Sequence, residues 1–87
     1  MALKEIWVLG IYVSDRVHKV NLIQPILTKF GCSIKTRLGL HETDGENCSQ
    51  NGLMILELSG DPEEFGKLEN ELLLVDGLEV KKMIFHE

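Results

Sequence analysis

The chain has 87 residues, 44% apolar and 26% charged, with nine Lys and Arg against fourteen Asp and Glu for a formal net charge of −5. That balance is typical of a globular protein and excludes a disordered chain. The acidic excess also argues against a domain that grips nucleic acid directly, since phosphate neutralisation needs clustered cations.

One domain over 1–87 is expected, because two cores would each fall near the ~40-residue limit below which folding usually needs disulfides or metals. No run approaches the ~18 apolar residues of a membrane span. Lys4 and Glu5 ahead of a short strand lack the layout of a signal peptide, so a cytoplasmic protein is expected.

The first element, about residues 4–13, is a strand rich in Val, Ile, Leu and aromatics. It does not alternate: Ile6, Val8 and Tyr12 are apolar on one side, and Trp7, Leu9, Ile11 and Val13 on the other. A polar corner, Ser14-Asp15-Arg16, leads into a helical stripe of Val20, Ile23, Leu27 and Phe30, widened by Leu22 and Ile26 and ended by Gly31. Pro25 lies inside this stripe and predicts a kink or break there.

A second strand follows over about 33–40, with Ile34, Leu38 and Leu40 expected to face the helices and Lys35 and Arg37 to face away. The polar stretch from Glu42 to Gly52 reads as a long loop before a third strand over about 53–59. Asp61-Pro62-Glu63-Glu64 then places an N-cap acceptor, an N1 proline and an acidic first turn ahead of Phe65, Leu68, Leu72 and Val75. Gly77 ends that helix. The last strand, about 78–85, alternates Leu78, Val80 and Ile84 against Glu79 and Lys81.

Displaced by 46 positions, the chain repeats itself: Asp15 falls on Asp61, Leu22 on Leu68, Ile26 on Leu72, Gly31 on Gly77, Ile34 on Val80 and Lys35 on Lys81. Each half reads strand, helix, strand. The order βαββαβ predicts an α+β, ferredoxin-like fold, a four-stranded antiparallel sheet with two helices on one face. A chain this short has no third layer for the second apolar side of the first strand, so an oligomer is expected. It would be a homodimer or tetramer built through the open sheet face or the strand edges.

With that order in place, "DRVHKVNLIQPILTKFG", "RLGL" and "DGLEVKKM" resemble the small proteins known as iron-only hydrogenase system regulators. The matching pieces are Asp15-Arg16, Ile26-Leu27, Phe30-Gly31, Arg37-Leu38-Gly39 and Gly77-Leu78-Glu79-Val80-Lys81. That family is ACT-like and similar to the ligand-sensing domain of the nickel-responsive repressor. The resemblance implies an oligomeric regulatory module, a transcriptional regulator acting through a partner, with no catalytic activity of its own.

In amino-acid-binding ACT domains the turn after the first strand typically reads Asp-Arg-Pro-Gly, and here it reads Asp15-Arg16-Val17-His18. Ser14, Asp15, Arg16, Val17 and His18, with Arg37, are therefore the candidates for binding a small-molecule effector. Ser14 or Asp15 acting as a plain N-cap explains the same polar residues without a ligand. His41 and Cys48 are weak metal candidates: in the nickel-repressor domain two histidines alternate on the second strand and a cysteine opens the third, whereas here Gly39 takes the alternate position.

His18 and His86 add no recognisable spacing, and Cys32 and Cys48 are expected as free thiols. Lys35, Arg37 and Lys81, expected on the open sheet face, read as solvated charge, with a small cationic patch for an anionic metabolite or a partner's acidic residues as the alternative. No nucleophile elbow, phosphate loop or H-E-x-x-H motif is present, so neither an enzyme nor a cofactor is expected. A small dimeric ferredoxin-like enzyme using His18 as a base, and a metal-sensing domain, are the alternatives.

Overall fold

The computed structural model describes residues 4–14, 16–44 and 47–87, with the side chains of 16–18, 40–44 and 47–50 outside that description. Its elements are β1 (Glu5–Val13), α1 (Arg16–Lys29), a 3-10 turn (Gly31–Ser33), β2 (Ile34–Asp44), β3 (Asn47–Leu58), α2 (Pro62–Leu73) and β4 (Leu78–His86). The four strands form one antiparallel sheet in the order β2-β3-β1-β4. This is the α+β ferredoxin-like, ACT-like arrangement that the doubled strand-helix-strand pattern predicts.

The core lies between the sheet and the helices. Trp7, Leu9, Ile11 and Val13 of β1 are buried with Leu56 and Leu58 of β3, Ile23, Leu27 and Phe30 from the first half, and Phe65, Leu68 and Leu72 of α2. Full burial of a side chain of this size stabilises by roughly 1.5–3 kcal/mol. Phe65 also meets Trp7 edge to face, with ring centroids 5.5 Å apart.

At the start of α2 the Asp61 carboxylate accepts from the Glu63 amide at 3.0 Å, an N-cap worth about 1 kcal/mol. The halves are also stitched symmetrically. The Ser14 amide donates to the Gly77 carbonyl at 3.3 Å, and the Ser59 amide to the Ser33 carbonyl at 2.9 Å, so each strand-to-helix corner leans on the helix-to-strand turn of the other half.

Three expectations change. α1 runs through Pro25 without a break, its register holding to Lys29 while Val20 and Leu22 of the predicted stripe are exposed. Much of the stretch 42–52 is strand rather than loop: β2 continues to Asp44 and β3 begins at Asn47, with Thr43 opposite Cys48. Because β3 meets β1 only from Gly52 onward, that hairpin projects beyond the sheet as an arm.

The third change concerns the phase of β2. Ile34 pairs with Leu58 and Thr36 with Glu57, so two β2 residues are spent on one of β3 and Lys35 is the extra residue of a bulge. A one-residue slip exchanges the two faces of a strand. Arg37 and Gly39 therefore share rows with the helix-side residues Leu56 and Met54, while Leu38 lies opposite Ile55 and Leu40 opposite Leu53 on the open side. The expectation that Leu38 and Leu40 join Ile34 beneath the helices is overturned by this extra residue. In β4, which has no bulge, Leu78, Val80 and Ile84 fall on the helix-side rows as the alternation predicts.

Candidate functional site

The corner between β1 and α1 begins where Val13, buried at the end of β1, gives way to the exposed Ser14. Asp15 lies outside the described residues. Arg16, Val17 and His18 form the first turn of α1, and their side chains lie outside the description. Beside them the Ser14 amide is tied to the Gly77 carbonyl, and Gly77 itself takes φ +85°, left-handed backbone that favours glycine.

A Cβ placed on Gly77 would lie 3.3 Å from Lys19 Cε and 4.0 Å from the Ser14 carbonyl oxygen. The half-buried Lys19 thus lies across the α2–β4 turn beside the corner. In the sequence only its place next to His18 points to it. The first turn of α1 carries no acidic residue, and Arg16, His18 and Lys19 crowd its start. A helix whose first turn holds cations and no carboxylate suits an anion such as a carboxylate or phosphate, Asp15 directly before it being the acid of the corner.

The other candidates do not gather there. Arg37 is on the helix side of β2, where its Nη1 donates to the Gln24 side-chain oxygen of α1 at 3.1 Å. Lys35 reaches Glu57 at 3.8 Å, and Lys81 reaches Glu79 at 3.7 Å. The alternative of a joint patch of Lys35, Arg37 and Lys81 is not met, because the bulge sends Arg37 to the opposite face and each lysine has a carboxylate beside it.

His41 pairs with Gly52, in the row of Val13 at the base of the projecting hairpin, and Thr43 pairs with Cys48 farther out along it. The side chains of His41 and Cys48, the weak metal candidates, lie outside the described residues, among which no group of three or more metal-binding side chains is found. Cys32 is an exposed free thiol in the 3-10 turn.

The open face of the sheet is the other distinctive surface. Its rows read Met83, Val8, Glu57 and Thr36, then Lys81, Gly10, Ile55 and Leu38, then Glu79, Tyr12, Leu53 and Leu40. Leu38, Leu53, Met83 and Phe85 are exposed at 50%, 38%, 56% and 51%, far more apolar surface than one wet face of an antiparallel sheet usually carries. No helix among the described residues is long and apolar enough to cross a membrane.

No family model matches the chain, and no curated protein matches it in sequence. Solved structures are similar over nearly its whole length. An uncharacterised protein of Thermotoga maritima is 26% identical, with a TM-score of 0.79 over 94% of this chain and 98% of that one.

CPII of Thiomonas intermedia K12, a nitrogen regulatory PII-like protein seen bound to ADP, AMP and bicarbonate, is 13% identical, with a TM-score of 0.63 over 99% of this chain and 96% of that one. The ACT domain of a GTP pyrophosphokinase from Chlorobium tepidum is 16% identical, with a TM-score of 0.63 over 92% and 99%. The last two share the fold alone.

Proposed function

We propose that this protein is a cytoplasmic regulatory module that senses a small anionic effector at the corner of Ser14, Asp15, Arg16, Val17 and His18, with Lys19 beside it, and has no catalytic role. The observation that carries the reading is the corner itself: a helix whose first turn holds Arg16, His18 and Lys19 and no acid, with Asp15 directly before it, on a chain whose net charge is −5. Its backbone is fixed from the other half of the repeat through Ser14 and Gly77.

The likeness of fold to an ACT domain and to a PII-like regulatory protein supports the same reading. The resemblance to iron-only hydrogenase system regulators extends it to control of transcription through a partner, the module supplying the sensing and the partner any contact with DNA. A homodimer or tetramer completes the proposal, since the open face of the sheet needs cover.

Native mass spectrometry of the purified protein tests the sensing, together with thermal melts in the presence of ADP, AMP and bicarbonate. A bound small molecule or a rise in Tm, either one lost in Arg16→Ala with Lys19→Ala, is the expected result. A bare mass in every preparation and a Tm unmoved by all three anions would overturn it.

A further inference from the structure

The bulge at Lys35 moves apolar residues away from an available dry side. Without it, Leu38 would face the helices; with it, Leu38 joins Ile55 and Leu53 on the open face and is half exposed there. A sheet whose second face met only water would gain nothing from that displacement, because exposed apolar area forgoes roughly 25 cal/mol per Å² of transfer energy.

We infer that the open face of the sheet is an isologous interface, on which a second copy of this chain stacks face to face. This deepens the oligomeric part of the function proposed above by choosing the open face over the strand edges. Val8, Tyr12, Leu53, Ile55, Met83 and Phe85 form its apolar middle, with Gly10 at the centre presenting bare backbone.

Charge selects the occupant. The lysines around the face are paired within one copy, Lys81 with Glu79 at 3.7 Å, Lys35 with Glu57 at 3.8 Å and Lys4 with Glu87 at 3.8 Å. Among the described residues a strongly acidic or basic partner finds no complementary field there, whereas an identical face meets lysines that each already have a carboxylate beside them.

Size agrees. Four strands at about 4.8 Å and seven residues at about 3.3 Å give a footprint of roughly 400 Å² per copy before side-chain relief is counted. Two copies then bury on the order of 1,000 Å², at the lower edge of specific interfaces. Packed sheets keep their strands within about 30° of each other, so the result is a four-layer assembly with helices outermost.

Sedimentation velocity on the full chain without ligand, over a concentration series reaching about 100 µM, decides the matter. The wild type is expected to be dimeric or a larger even oligomer. Leu53→Glu and Met83→Glu, both at exposed positions, should raise the dissociation constant at least about tenfold, with circular dichroism confirming that they fold. Leu74→Glu, at an exposed site after α2, should change nothing.

A wild type that stays monomeric throughout would overturn the inference. So would unchanged association in both open-face variants, which would place the contact at an edge or on the helices. A dimer that binds no anion would defeat the effector reading alone, and a monomer that binds one would defeat only the stacking.

Discussion

Gly77 joins the last strand to the rest of the fold through a backbone angle of φ +85°. Replacing it with Ala should cost about 1–2 kcal/mol for the left-handed conformation alone, and the new Cβ must also displace the Lys19 side chain. Urea unfolding of Gly77→Ala beside Gly77→Asn measures this, with Asn the milder change because it tolerates left-handed backbone.

Lys82 tests a different kind of fit. It occupies a helix-side row of β4 where an apolar residue would be usual, yet its Nζ is 3.0 Å from Glu69 and 4.7 Å from the centroid of the Trp7 ring. Lys82→Ala should destabilise by about 1–2 kcal/mol, since it removes the cation above the ring and leaves the mostly buried Glu69 without its partner. Trp7 is the one tryptophan of the chain, so a change in its emission should accompany the loss.

At the scale of the elements, the βαββαβ order and both helices were legible because each rests on signals that depend on neighbouring residues alone. Asp61-Pro62 and Gly77 punctuate α2, and Phe65, Leu68 and Leu72 are buried as their spacing predicts. The face of β2 was not legible, because a period of two assumes that no residue is inserted and nothing in "SIKTRLGL" marks Lys35 as extra.

The arm was hidden by composition: "HETDGENCSQNG" is polar enough to read as loop, but an antiparallel pair beyond the sheet can carry polar residues on both faces. The Ser14–His18 corner was legible as residue types; the contribution of Lys19 became visible only once Gly77 was seen beneath it. Deleting Lys35 should leave Arg37 opposite Leu56 and Leu38 opposite Ile55, and should change stability by no more than about 1 kcal/mol in urea unfolding. In a regular strand the same deletion would turn every later side chain over and unfold the sheet.

Across the whole molecule the arm dominates the shape. The Cα radius of gyration is 13.8 Å and the principal extents are 53 × 22 × 18 Å, against about 12 Å expected for a compact domain of this length. Among the described residues the buried core lies between the sheet and the helices, away from the base of the arm. Replacing residues 42–51 by an Asn-Gly turn should therefore leave unfolding stability within about 1 kcal/mol of the parent, measured by thermal melting.

The two borders of the sheet are unlike. β2 carries irregularities at Ile34/Thr36 and His41/Thr43, and bulges of this kind blunt a border against further strands. β4 pairs with β1 through nine residues without interruption, from Leu78 to His86, and offers its far side as a straight template. Endless polymerisation needs two receptive ends on every unit. A molecule with one receptive border cannot extend a sheet from copy to copy along its edges, so the bulge that re-aims Leu38 also acts as a chain terminator against fibril formation.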